Sequence, residues 1–476
     1  MSTSDKPTVL IVGAGLGGLM LGALLEKSGV PYTIFERAVT VKPLGSALAV
    51  GPTLLPVFQQ IGIYDEILAA GKFMTNTTAY DEALQQHRPN DYRPIVEYTG
   101  YGNYIIPRPV LYDIMLKQVP AHKIHFGHRV LNISEEDGKV TVHLSNNGMY
   151  QGDIIVGADG AYSAVRQRMY EKLRAKGELP KSDQEDLPFS CTCLVGQTKV
   201  VDPEEFPIIK EEVCQFRAVL GAERPYTWGF MTTANGTLTW SVMHHLSKTT
   251  SKAAIEQRFR NNDNSEWSNH TAAAMCDETR NFPIQLDDGK KRTMGDLYDL
   301  TPKDLISKVM LEEKVFTTWY HDRYVLMGDA CHKLSPSGGH GAVTAMHDAI
   351  ALANLIYAMP TETSSDITRI FQEYQDERYP AVMESFKNSQ MMGKRLDKGI
   401  IGSLVLFVIT HMPMWLWRIM LAKTVRHRPQ VGFLPSIPLK GTVVPTVSPS
   451  EQKAKALFNK KHQEQQEQKQ GIVHAV

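Results

Sequence analysis

The sequence predicts an α/β fold: a doubly wound, Rossmann-like domain interleaved with a β-sheet domain and followed by a C-terminal helical segment. Three observations predict it. First, TVLIV (8–12) is an apolar run of strand length, GAGLGGLMLGALLEKSG (13–29) has helical apolar spacing and a glycine stop, and VPYTIFER (30–37) supplies the next strand, which together make a βαβ unit. Second, two more short apolar runs, DIIVG (153–157) and YVLM (324–327), each lead into a turn containing glycine and aspartate and then into a helical pattern. Third, between them the texture of 188–320 changes to segments rich in Thr, Val, Trp and Tyr, such as RPYTWGFMTT and TLTWSVMHH, which read as a separate sheet.

Taken in order, 1–71 carries the βαβ opening and then a loop and helix, GSALAVGPTLLPVFQQIGIYDEI. Residues 72–104 read as strands and loops and form the first part of the second sheet. Residues 105–178 return to the doubly wound domain with a helical pattern at 109–118, a hairpin around 136–139 and the buried strand 153–157. A polar stretch with Pro180 then suits a linker, 188–320 forms the second sheet, and 321–392 closes the doubly wound domain. The apolar segment 393–450 is expected to associate with a membrane. The block 451–476 is rich in Lys, Gln and Glu without an apolar stripe and is expected to be a solvated or disordered tail.

Composition excludes several classes. A chain of 476 residues has room for two or three domains, and its 42% hydrophobic content is that of a globular core. Lys plus Arg (51) equals Asp plus Glu (51), and aromatic residues are not interleaved with basic clusters, so no nucleic-acid partner is expected. The five cysteines form no CxxC pair, which argues against a disulfide framework and against a zinc site; no metal is expected. The N-terminus MSTSDKP is polar and runs straight into a strand, so no secretory leader is expected. Residues 400–417, IIGSLVLFVITHMPMWLW, carry no formal charge, but basic residues flank both sides and Pro413 lies inside. Two readings stay open: an interfacial helix on the cytosolic face of a membrane, or a buried helix of a soluble cytoplasmic protein.

The chemistry-bearing residues sit at the strand ends. Gly13, Gly15 and Gly18 make GxGxxG, in which the first glycine turns the chain, the second admits a pyrophosphate and the third lets the helix lie close to the strand. Glu36 ends the second strand, where a carboxylate accepts hydrogen bonds from a ribose diol. In GADGAYSAVR (157–166) Asp159 follows a buried strand; a cofactor role and a helix cap paired with Arg166 both remain open. In GDACHKLSPSGGHGA (328–342) Asp329 lands at a strand end, and Gly338, Gly339 and Gly341 leave bare amides near a helix N-terminus, which favours phosphate.

These three motifs, in this order and spanning residues 9 to about 380, resemble those of single-component, FAD-dependent monooxygenases of the aromatic-hydroxylase type. The C-terminal flow through RHRPQVGFLP is similar to fungal members that epoxidise or hydroxylate terpenoid and meroterpenoid intermediates. The resemblance implies that FAD occupies the doubly wound domain and that the second sheet is the substrate domain. It implies FAD ribose binding by Glu36, a flavin contact by the backbone around Ala49, and an arginine at Arg108 that opens a helix and reaches the cofactor. It further implies that Asp329 is the acid of the GD motif, that Gly341 and Ala342 place backbone beside the isoalloxazine ring, and that Tyr226 stands on the substrate side. NAD(P)H is implied as a transient co-substrate that reduces FAD, molecular oxygen as the source of the transferred atom, and a hydrophobic small molecule as substrate.

There are departures from the family pattern. GQG is GHG here, through His340, and the asparagine expected two residues further on is Val343. His332 reads as a packing residue rather than a base. Rival readings are a halogenase, prompted by Trp415, Trp417 and Ile419 in WLWRIM without its proline, an isoprenoid reductase that consumes no oxygen, and a non-catalytic membrane-associated flavoprotein.

Overall fold

The computed structural model describes residues 6–42, 44–221, 224–246, 269–334, 339, 341–393 and 412–473. The doubly wound domain is built on a six-stranded sheet in the order Tyr320–His321, Tyr324–Leu326, Ile154–Gly157, Val9–Val12, Tyr32–Glu36, Ile124–Phe126. Every neighbouring pair is parallel except the edge strand Tyr320–His321. Its central strands are apolar throughout, as burial on both faces requires; Val9, Leu10, Ile11, Ile154, Ile155 and Val156 are inaccessible to solvent. The register aligns Val12 with Gly157 and with Phe35, and Gly157 with Leu326. The residues that follow these strands therefore emerge together at one edge, where ligands of open α/β sheets sit.

The helix Leu16–Ser28 packs on Gly341–Tyr357, and a Cβ on Gly17 would lie 3.3 Å from Ala345 Cβ, so this glycine permits the close approach. A hairpin joins Val130–Glu136 to Lys139–Leu144 through Asp137 and Gly138, both at positive φ (49° and 71°), the conformation of a two-residue primed turn.

The second sheet has seven strands in the order Ser307–Glu312, Phe189–Gln197, Leu238–His245, Tyr226–Thr232, Phe216–Leu220, Asn76–Tyr80, Asn90–Asp91. One face carries Leu194, Val219, Trp228, Phe230, Trp240 and Val242 into a core closed by the helices Asn269–Thr279 and Met294–Asp299. The neighbouring segments 72–74 and 103–107 do not join it; Asn103–Pro107 pairs with Ala47–Val50 on one side and with Lys72–Met74 on the other in a three-stranded sheet of their own.

The C-terminal region differs from expectation in two places. Within 393–450, the stretch after the helix Met414–Thr424 enters the doubly wound core: Arg428, Gln430, Val431 and Phe433 are buried, and Val431 and Phe433 pack within that core. Side chains fix it from both sides, since Asn354 donates to the Gln430 carbonyl (3.0 Å) and accepts from Gly432 N (2.8 Å), while Gln60 accepts from Val431 N (2.8 Å). The polar end is not a tail but the helix Pro449–Val473. Its docking needs no long stripe. Ala454 is fully buried against Gly432, and the Glu377 carboxylate accepts from Ser450 N (2.8 Å) and from the Ser448 hydroxyl (2.8 Å) at its start. Most of the apolar run 400–417 lies outside the described residues.

Candidate cofactor and substrate site

The site begins at the Gly13–Gly18 turn. Gly13 has φ +106°, and an added Cβ there would meet the Ala158 carbonyl oxygen at 2.4 Å; one on Gly18 would meet the Gly13 oxygen at 2.1 Å. Gly15 is different: nothing among the described residues lies within 4 Å of the position a Cβ would take. It caps the helix Leu16–Ser28 without a side-chain hydrogen bond, so no side chain at the cap occupies the first-turn amides. The Glu36 carboxylate is braced by the same turn, accepting from Ala14 N and from Ala38 N, each at 2.9 Å.

Asp159 follows the neighbouring strand. One oxygen, Oδ2, accepts from Ala164 N (2.6 Å) and Val165 N (3.3 Å), which is a helix cap; the other, Oδ1, is buried with no hydrogen-bond partner among the described residues. Burial pushes its pKa up. Arg166 is not its partner: the guanidinium donates to the carbonyls of Ala330 and Ala161, both at 2.6 Å, and lies 4.2 Å over the Phe316 ring. It thereby ties the 157–166 turn to the turn Gly328–Ala330.

That second turn starts at Gly328 (φ +58°) and carries Asp329, whose carboxylate is paired with Lys333. The charge of Asp329 raises the Lys333 pKa, and it also acts on Arg108, the first residue of the helix Arg108–Leu116. Arg108 Nη1 donates to the Leu44 carbonyl (3.2 Å), and the chain beside it turns at Gly45 (φ +118°), where a Cβ would stand 3.0 Å from Arg108 Cδ. Among the described residues, Gly341, which opens the helix Gly341–Tyr357, also has nothing within 4 Å of its Cβ position; Ala342 and Val343 are half-buried against the doubly wound core. His340 and Gly338 lie outside the described residues.

Ala49 sits between the two domains. It clusters with Met74, Ile105 and Cys214 and with Phe216 and Met231, which belong to the seven-stranded sheet. This fixes which face of that sheet is turned toward the cofactor edge. By the observed register, the inner face carries Thr227, Gly229 and Met231, then Ser241 and Met243, then Val195, and Phe216 with Ala218; Val195, Phe216, Ala218, Met231, Ser241 and Met243 are only half-buried. Tyr226 is on the opposite face. Its hydroxyl donates to Glu278 at 2.5 Å, its ring stacks on His244 (centroids 4.3 Å apart) and meets Phe282 edge-on at 5.1 Å, and burial raises its pKa. Gly13, Gly15, Gly18, Glu36, Asp159, Asp329, Arg108, Gly341 and Ala342 are thus placed around one edge and Ala49 beside it, but Tyr226 is not among them. The inner-face residues escaped sequence reasoning, although the alternation in YTWGFMT holds the signal: burying Tyr226, Trp228 and Phe230 on one side turns Thr227, Gly229 and Met231 to the other.

Beneath the site lies a buried polar cluster. Asp348 Oδ2 accepts from Gly328 N (3.0 Å) and His332 Nε2 (2.5 Å), and its Oδ1 accepts from Arg378 Nε (2.8 Å). Burial alone would raise the Asp348 pKa, but His332 and Arg378 beside it hold it well below the usual carboxylate range. Ligand atoms of Cys331, His332 and Asp348 come within 4.8 Å of one another, yet the acid is spent on His332 Nε2 and on a guanidinium whose charge opposes a cation. The residues of WLWRIM lie elsewhere, at the sheet edge: Trp417 Nε1 donates to the Asp91 carbonyl (2.7 Å), while Trp415 and Ile419 are exposed.

Comparison with known proteins adds the following. The family model described as FAD binding domain matches residues 6–192 and 221–389. The chain is 25% identical over 446 residues to FAD-dependent monooxygenase atmM of Aspergillus flavus, covering 91% of this chain and 88% of the relative. It is 27% identical over 415 residues to FAD-dependent monooxygenase paxM of Penicillium paxilli, covering 83% and 80%. Among solved structures it resembles Klebsiella pneumoniae HpxO complexed with FAD and uric acid (TM-score 0.67, 17% identity, 89% of this chain and 97% of that one). It also resembles CtdE in complex with FAD and substrate (TM-score 0.64, 17% identity, 88% and 98%).

Proposed function

The chain belongs to the FAD-binding-domain family, and from that premise we infer that it is an FAD-dependent monooxygenase that uses NAD(P)H and O2 to epoxidise or hydroxylate a hydrophobic small molecule, a terpenoid, meroterpenoid or aromatic metabolite. The observation that carries this reading is the convergence of three strand-end turns at one sheet edge, facing a wall of small and apolar side chains on a second sheet. The cofactor fits the residues present: among the described residues, the open space over Gly15 and Gly341, the absence of a side-chain cap on the helix Leu16–Ser28 and the buried Asp159 oxygen without a partner all suit a dinucleotide. When bound, FAD supplies the redox and oxygen-transfer chemistry.

The protein's own part is binding, orientation and exclusion of water. Glu36 accepts from the ribose hydroxyls, Gly13, Gly15 and Gly18 admit the pyrophosphate, and Arg108, Asp159 and Asp329 hold the middle of the cofactor. Gly341, Ala342 and Ala49 offer backbone to the ring system. Phe216, Met231, Met243 and Val195 form the substrate wall, whose apolar character selects a hydrophobic ligand and keeps water from the reacting centre. The test follows NAD(P)H and oxygen consumption by the FAD-loaded protein with a panel of terpenoids, prenylated aromatics and simple phenols. Substrate-stimulated uptake of both supports the reading, and oxygen uptake that no substrate stimulates defeats it.

For location, no described helix is long and apolar enough to cross a membrane. A second reading concerns the helix Met414–Thr424, which exposes Trp415 (64%), Ile419 (58%) and Met420 (40%) beside the basic residues Arg418 and Lys423. That pattern suits a helix lying on an anionic lipid surface at the edge of the substrate sheet, from which a hydrophobic substrate would be drawn.

A further inference from the structure

We propose that His427 is a positioning residue for the cofactor turn, acting on Asp329 through Arg378 and Asp348; the proposal rests on the FAD reading above. Asp329 lies between two residues suspended from one carboxylate. Gly328, immediately before it, donates its amide to Asp348, and His332, three residues after it, donates Nε2 to the same oxygen. Wherever Asp348 sits, the turn sits.

The other oxygen of Asp348 is held by Arg378, which is 1% exposed and comes from the middle of the helix Ser364–Gly393. A guanidinium so buried needs acceptors for its remaining N–H groups. Nη2 reaches the Thr344 carbonyl at 3.4 Å, and Nη1 donates to His427 Nε2 at 2.9 Å. His427 belongs to the C-terminal stretch that runs into the doubly wound core, so the last acceptor of the chain Gly328–Asp348–Arg378 is delivered from outside the motif. It acts as an acceptor only when neutral. Burial, His347 edge-on at 5.0 Å and Arg378 itself keep it so, pushing its pKa down to about 2. His347 is fixed in turn, with Nε2 donating to the Thr53 carbonyl at 2.9 Å. Removing the acceptor would leave a buried Arg378 N–H unpaired. The guanidinium would then shift toward a new partner, loosening Asp348 and with it the backbone on both sides of Asp329.

The experiment measures the FAD dissociation constant of the apoprotein by fluorescence titration, together with its thermal midpoint without flavin, for four chains: wild type, His427→Leu, His427→Gln and Asn354→Ala. The leucine variant should bind FAD about ten-fold more weakly, as expected for loss of one charge-assisted hydrogen bond. Glutamine, which can accept from Arg378, should restore binding to within about three-fold. Asn354→Ala loosens the same C-terminal stretch at Gln430 and Gly432 without touching Arg378, so it should lower the midpoint while FAD affinity stays near wild type. Wild-type affinity in His427→Leu, equal weakening in the glutamine variant, or equal weakening in Asn354→Ala would each overturn the proposal. If the leucine variant does not accumulate in folded form, His427→Ala with added imidazole replaces it, and failure of imidazole to recover binding also overturns it. Wild-type protein that binds no FAD would instead sink the cofactor reading itself.

Discussion

Asp329 and Tyr226 show how far a single side chain's role depends on what already holds it. The Asp329 carboxylate is paired with Lys333 on a turn anchored at both sides, so its position is set before any cofactor arrives. Asp329→Ala should weaken FAD binding at least ten-fold and leave the far-ultraviolet circular dichroism unchanged; a variant purified with full flavin absorbance would contradict this. Tyr226, by contrast, spends its hydroxyl on Glu278 outside the substrate wall. Tyr226→Phe should keep substrate-stimulated NAD(P)H oxidation within about three-fold of wild type and lower stability by about 1 kcal/mol, and loss of turnover with unchanged stability would return this tyrosine to the chemistry. The contrast marks what could be read from the sequence. The places of Glu36 and Asp329 at strand ends were legible because each follows an apolar run and neighbours a glycine turn, a local pattern. The alternation in YTWGFMT groups Tyr226 with Trp228 and Phe230, but which of the two faces the helices cover is set by the tertiary fold, and the role of His427 by a partner 49 residues away.

At the scale of elements, the strands of the parallel sheet and the helices after each motif follow from short buried runs and glycine stops, and they appear where that chemistry puts them. The C-terminal elements were harder to read. Composition along 451–473 is polar, yet a helix forms because Ala454, a serine-rich start and Glu377 suffice to dock its first turns on a body that already exists. The helix Met414–Thr424 is the reverse case, an apolar surface left outward. If it rests on lipid, Trp415→Glu combined with Ile419→Glu should abolish cosedimentation with vesicles containing anionic phospholipid while leaving flavin content unaltered. Wild-type protein that stays in the supernatant with such vesicles would remove the idea.

For the whole molecule, the C-terminal stretch makes stability depend on pH. His427 is kept neutral in the folded state with a pKa depressed to about 2, whereas in the unfolded chain an imidazole titrates near 6.5. Below that value the unfolded chain takes up a proton that the folded chain refuses, so the contribution present above about pH 6.5 is lost progressively as pH falls toward 2. Asp348, also depressed, acts in the same direction below about pH 4. The thermal midpoint should therefore fall between pH 7 and pH 5, and His427→Gln, which cannot be protonated, should flatten that slope; parallel profiles for the two proteins would assign the fall to other groups.

The sheet register has a consequence for how the protein is made. Val12, Gly157 and Leu326 stand side by side although the outer two are roughly 300 residues apart in the chain. The N-terminal βαβ unit leaves the ribosome long before the strand that completes its neighbour and longer still before the acceptor for Arg378. Until Tyr324–Leu326 has been made, the strand Ile154–Gly157 keeps an unpaired apolar edge, so the sheet and the turn at Gly328 are complete only after most of the chain has been synthesised.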